Sequence, residues 1–190
     1  MLTRLQAVNQ MLLPAGESVI LVLEEGAGDY ANCSAILDAE TAKVLAKGWH
    51  FNTDRGIKLV PDVDGKILVP ANTLRLDYCD PKLDIAQRDG YLYDLINHTD
   101  VFTEPVVVDR VVLLTFEGCP YHVQREIVGK AAQFYQRSFV GSDTLDKYTT
   151  EERAEATADS RDSEVDEDDY NILNNPDLAY LRRHSFRRGI

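Results

Sequence analysis

The residues best equipped for chemistry in this chain are Cys119 and His122, set three apart in Cys119-Pro120-Tyr121-His122. That spacing suits two ligands of one metal ion, or a thiol nucleophile and its base. A metal would need a second ligand pair, and only a spatial approach of His50 or His98 could supply it. Histidines at a strand end or helix start with satisfied hydrogen bonds account for all three more simply. Asp77, Asp80 and Asp84 could furnish the acid and nucleophile of a glycoside hydrolase. Nothing in their spacing separates them from charges that guard a sheet edge. Asp62-Val63-Asp64-Gly65 begins like a calcium loop but lacks the third acidic ligand and the closing bidentate glutamate, so it reads as a hairpin turn. Gly26-Ala27-Gly28 before a helix resembles a phosphate cradle. The full glycine pattern is absent, however, and Glu24, Glu25 and Asp29 would repel a phosphate. The expectation is a protein with no catalytic centre, cofactor or metal.

Leu2, Leu5, Val8 and Leu12 recur at helical spacing until Pro14 and Gly16 stop them. Asp29 offers an N-cap to a second helix bearing Cys33, Ile36, Leu37, Val44 and Leu45, which Gly48 is placed to close. From Trp49 to Cys119 the pattern changes to short β-rich runs: WHF, IKLV, KILV, LRLDYC, LDIAQ, GYLYDL and VVVDRVVLLTF. Each is bounded by Gly, Pro, Asn or Asp, which predicts six or seven strands in neighbouring antiparallel pairs. Asp64-Gly65 and Asp89-Gly90 supply turn chemistry. After Pro120, Val123, Ile127, Val128, Ala131, Phe134, Tyr135 and Phe139 define a third helix that Gly141 ends. Ser142 or Asp143 can cap a fourth, and Thr149 with Glu152 offers a second start.

The fold class expected is α+β: an antiparallel bundle of about four helices carrying an inserted antiparallel β platform. Residues 1–48 and 120–174 form the bundle, 49–119 the platform, and 175–190 a basic C-terminal tail. Gly48, Trp49 and Phe51 mark the seam, with the two aromatic rings plugging the boundary between two cores.

At 190 residues, 44% hydrophobic and 27% charged, the chain is of ordinary globular composition. No apolar run approaches the roughly 18 to 20 residues of a membrane span. The opening MLTRLQAVNQMLLPAG lacks a cleavage pattern and reads as a short helix of a cytosolic protein. Cys33, Cys79 and Cys119 are odd in number and widely spaced, as free thiols in a reducing compartment are. A net charge of −12 excludes general affinity for nucleic acid, which depends on cations displacing counterions. Charge is also segregated: residues 143–170 hold twelve acids against Lys147, Arg153 and Arg161, and the last residues reverse the sign. Copies of the acidic helix around a ring would line a channel through which DNA slides without adhering.

The segments LQAVNQMLLPAGE, ILDAETAKVLAKGWHFN, IKLVPD, GYLYDL and KAAQFYQRSFVG, in that order over residues 2–173, resemble the tail tubular protein A family of head-to-tail adaptors in short-tailed bacteriophages. The resemblance implies a helical bundle with an inserted β platform, and a twelve-fold ring in the short tail of the virion, assembled in the host cytoplasm. It implies docking beneath the capsid portal protein, with the hexameric nozzle (tail tubular protein B) below and tail fibres near that junction. DNA would pass through without specific binding, and no membrane is involved. In the family the bundle and C-terminal extension face the portal, which makes Tyr180, Arg182, Arg183, Phe186, Arg187 and Arg188 portal-contact candidates here. The rival from another class is a tail-associated enzyme that degrades carbohydrate with surface carboxylates. A plain oligomeric scaffold of host origin is the third reading.

Overall fold

The computed structural model describes residues 1–22, 28–78, 83–141 and 143–167. Their elements are four helices and two antiparallel sheets. Helix α1, Arg4–Leu12, opens with a capping box. Thr3 Oγ1 accepts from the Gln6 N–H at 3.3 Å, and Gln6 Oε1 accepts from the Thr3 N–H at 3.0 Å. Pro14 forces a 3-10 turn over Leu13–Ala15, and Gly16, at φ +78°, ends it. Helix α2 is Gly28–Leu45 and already includes Asp29, so Asp29 lies within the first turn, where its charge favours the positive helix end.

Helix α3, Tyr121–Tyr135, starts behind Pro120 and continues into a π turn, Gln136–Val140, which Gly141 closes. Helix α4, Asp143–Glu167, is continuous. The second start expected at Thr149 is therefore corrected: Thr149 is buried mid-helix, because packing against α3 holds the segment in one piece. Helices α3 and α4 run antiparallel, as paired contacts at both ends require: Gln133 Nε2 donates to Thr150 Oγ1 at 2.6 Å, and Ser160 Oγ donates to the His122 carbonyl at 2.9 Å. The helices are close at Gly129, where a Cβ would stand in ordinary van der Waals contact with Arg153 Cα at 3.5 Å.

Five strands are present among the described residues, which corrects the six or seven expected. They are β1 Thr53–Leu59, β2 Thr73–Tyr78, β3 Ile85–Arg88, β4 Tyr91–Asp94 and β5 Val106–Val112. WHF is instead a 3-10 turn at His50–Asn52. KILV stays short of a strand, touching β4 through one bridge, Leu68 to Tyr91. Strand order also departs from neighbour pairing: β5 lies between β1 and β2, all antiparallel. The tight turn at Asp62–Lys66 does form, since Asp62 N–H donates to the Lys66 carbonyl at 2.8 Å and Gly65 takes φ +78°. Its flanking segments nevertheless diverge, β1 going to the long apolar strand β5. The second hairpin matches expectation, with β3 and β4 joined by Asp89 and Gly90, both at positive φ.

Apolar side chains gather in two clusters. The first holds Ala7, Met11, Leu37, Leu45, Phe116, Ile127 and Tyr135, and joins α1, α2 and α3. Each large member buried there contributes about 1.5 to 3 kcal/mol. The second, around Leu59, Ile67, Leu92, Val106 and Val108, belongs to the β elements. Strand β2 reaches both: Leu74 packs on the first cluster, Leu76 and Tyr78 on the second. No described helix is long and apolar enough to cross a membrane.

Candidate functional site

The junction of helices and sheet is built from Gly48 to Thr53. Helix α2 ends at Leu45, and Gly48, at φ +78°, turns the chain toward β1 while its N–H donates to the Leu45 carbonyl at 3.1 Å. A Cβ on Gly48 would meet Arg75 Nη2 at 2.9 Å and Val111 Cγ2 at 3.1 Å, so strand side chains occupy the space glycine leaves. Substitution Gly48→Ala is expected to destabilise by about 1 to 2 kcal/mol from the left-handed backbone alone, with crowding added. Chemical denaturation would register this as a lower midpoint at unchanged slope.

Trp49 and Phe51 both pack on the helical cluster, not between the two clusters, with ring centroids 6.3 Å apart. Trp49 Nε1 donates to the Val44 carbonyl at 2.9 Å, folding the indole back over the end of α2. The link across the junction is Asn52, which sequence reasoning missed. It is 2% exposed. Its Nδ2 donates to the Leu45 carbonyl at 3.0 Å and to the Val112 carbonyl at 2.9 Å, while its Oδ1 accepts from the Trp49 N–H at 2.7 Å. One amide thus ties the end of α2 to the end of β5. The spacing of Asn52 beside GW was the available signal, but an Asn flanked by β-rich runs reads as a turn residue.

A second missed constellation lies beside it. Glu126 on α3 is fully buried, and its Oε1 accepts from Lys47 Nζ at 2.7 Å and Lys130 Nζ at 2.5 Å. Burial pushes this carboxyl up, but the hydrogen bonds and charges of Lys130 and Lys47 outweigh it and leave the group below its ordinary value. For Lys130 burial prevails and the ammonium is held below its usual range. Lys47 also stands 5.3 Å from the Trp49 ring centroid. The trio therefore couples α3 to the residues leaving α2. From the other side, the His50 N–H donates to Glu164 Oε1 of α4 at 2.5 Å. An open groove of about 400 Å³ follows, lined by residues that include His50, Arg55, Arg75, Asp77, Asp109 and Glu164.

The residues first considered for chemistry are placed otherwise. Cys119 is buried and its Sγ donates to the Thr115 carbonyl at 3.4 Å. Burial, then the charge of Glu117, pushes its thiol up to about 11, and burial with Asp29 takes Cys33 to about 12. Thiols so shifted stay protonated near neutral pH and are poor nucleophiles. Asp77 is exposed on edge strand β2, with its Oδ1 accepting from the Tyr78 N–H at 2.9 Å. Asp84 is exposed ahead of β3. Asp62 Oδ1 accepts from the Asp64 and Lys66 N–H groups at 2.9 and 2.8 Å, the work of a turn. Among the described residues no group of three or more His, Cys, Asp or Glu could hold a metal ion. Cys79, Asp80, Gly26, Ala27 and the candidates Tyr180, Arg182, Arg183, Phe186, Arg187 and Arg188 lie outside the described residues.

Hydrogen bonds and an ion trio hold this junction together. The model of the tail tubular protein family matches residues 5–170, and the chain belongs to that family, structural proteins of the bacteriophage tail. It is similar to Tail tubular protein A of Klebsiella phage KP34, 28% identical over 148 residues that cover 77% of this chain and 79% of that one.

Proposed function

We propose that the protein is the head-to-tail adaptor of a short-tailed phage, a twelve-fold ring that joins the capsid portal to the tail nozzle and conducts DNA. The observation that carries this reading is the pair of separate apolar clusters, one of the helices and one of the β elements, which meet where strand β2 packs on both and Asn52 ties the end of α2 to the end of β5. A subunit so built presents two independently supported surfaces, as a protein gripping different partners above and below must. In this reading residues 1–48 with 120–174 face the portal, and the platform of 49–119 faces the nozzle protein and lies near the tail fibre. Gly48, Trp49 and Phe51, with Asn52, form the seam that transmits load between them. The net charge of −12 suits a channel wall that repels DNA phosphates.

The basic, aromatic tail of residues 175–190 then binds the portal, with Tyr180, Arg182, Arg183, Phe186, Arg187 and Arg188 as its contacts. Removing residues 176–190 should weaken portal docking at least tenfold in a pull-down or native mass measurement. Circular dichroism should show the helical content of residues 1–167 retained. Docking at full strength would sink the tail assignment.

A further inference from the structure

We propose that neighbouring copies in the ring join through a basic, aromatic flank of one subunit and an acidic, apolar flank of the next. The proposal rests on the ring reading above and assigns the two faces that close it.

Although the chain carries a net charge of −12, cations collect on one side of the helices. Lys43, Lys130, Arg137 and Arg153 surround Phe134 in a hollow of about 320 Å³, with Glu40 the carboxylate in its lining. Phe134 is 48% exposed, and Lys43 Nζ stands 5.5 Å from its ring centroid. Part of this charge is already engaged: Lys43 meets Glu40 at 2.5 Å, Lys130 meets Glu126 at 2.5 Å, and Arg153 donates to Gln133 Oε1 at 2.6 Å. Arg153 also borders the next hollow along α4, where exposed Arg161 stands beside Ala154 and Ala158. From Arg137 to Arg161 the flank thus carries mainly cations, with Glu164 beside Arg161 at its far end, an aromatic anchor and small residues that allow close approach.

Helical rotation of about 100° per residue carries Glu152, Glu155 and Asp159 to a different side of α4 from Ala154, Ala158 and Arg161. On that side a hollow of about 420 Å³ is lined by Glu152 and Glu155 together with Leu13, Pro14, Val128 and Ala132. Leu13 is 60% exposed. The cation at this hollow, Arg125, is held by Asp159 at 2.8 Å. Each flank therefore has an exposed apolar residue among charges predominantly of one sign, the minority charge in each being paired, and the prevailing signs are opposite. A closed ring needs two different surfaces on the same chain that fit each other. Complementary potentials fix register and reject wrong partners, while an aromatic residue ringed by arginine is a common energetic centre of an interface. The occupant that meets both flanks at once is a second copy.

Charge reversal on one face at a time tests this, with rings counted by electron microscopy on the matching portal protein. The basic-face variant R137E/R161E and the acidic-face variant E152K/E155K should each lose rings while melting as folded monomers. An equal mixture should recover them by strict alternation, as should the fourfold variant with both faces reversed. Rings from each variant alone would overturn the assignment of faces and leave the ring reading intact. So would two folded variants whose mixture stays unassembled. Rings that persist but no longer hold the nozzle would assign these flanks to another partner and equally overturn the proposal. Failure of the unaltered protein to form any ring would instead remove the ring reading and this one with it.

Discussion

Replacing Asn52 with leucine should lower stability by about 3 kcal/mol or more, because the Leu45 and Val112 carbonyls and the Trp49 N–H are each left buried without their partner. Leucine shares the branching of asparagine and is the larger residue, so no cavity is opened; orphaned backbone groups, with some crowding, explain the loss. For a chain of this size that corresponds to a melting temperature lower by roughly 6 to 12 °C. Calorimetry would measure it, and Asn52→Asp serves as the control. Aspartate keeps the acceptor for the Trp49 N–H but cannot donate to the two carbonyls, so it should recover little. A leucine variant as stable as the parent would mean that the amide is incidental to the junction.

Glu126→Ala should be of similar size, about 3 kcal/mol, since it strands Lys130 and deprives Lys47 of its acceptor inside the helical layer. The effect has a pH signature. The folded carboxyl sits below its ordinary value of 4.5, so the folded state binds this proton less readily than the unfolded chain does. The resulting stability is complete above about pH 4.5 and is lost as pH falls through the lowered folded value. Glu126→Gln keeps an acceptor but removes the titration. Its stability should therefore fall less steeply than the parent's in that acid window, as urea midpoints recorded across it would reveal. Parallel profiles for the two proteins would contradict the role assigned to the trio.

The helical part of the fold is legible in the sequence for a simple reason. Stripes such as Leu5, Val8 and Leu12, or Val123, Ile127 and Ala131, repeat at the helical period, and Pro14, Gly48, Pro120 and Gly141 punctuate them. Local chemistry also suffices for the Asp89-Gly90 hairpin, whose two positive φ values are what those residues tolerate. Strand pairing is a different matter. KILV has the composition of a strand, yet β1 pairs with β5 across some fifty residues, a choice made by burial of Val106, Val108 and Val111. WHF likewise has strand propensity but turns because Asn52 bonds to three backbone groups at once.

The same limit applies to the junction. Gly48 announces a helix stop, and Trp49 announces burial. Gln124 and Asn9 announce nothing and Asn52 reads as a turn residue, because polar amides usually face water. Here each satisfies backbone groups that close loops would strand: Gln124 clamps Leu2 and the Phe116 carbonyl, and Asn9 holds both polar groups of Ile20. Glu126 is buried on α3 between Lys130 of its own helix and Lys47 of the turn after α2, a pairing that one helix's spacing does not disclose.

The adaptor reading is tested most directly by cryo-electron microscopy of the protein mixed with the portal and nozzle proteins of its phage. The account predicts a ternary particle in which twelve copies form one ring, helices toward the portal and β elements toward the nozzle. Particles of portal and nozzle with no such ring between them would contradict it.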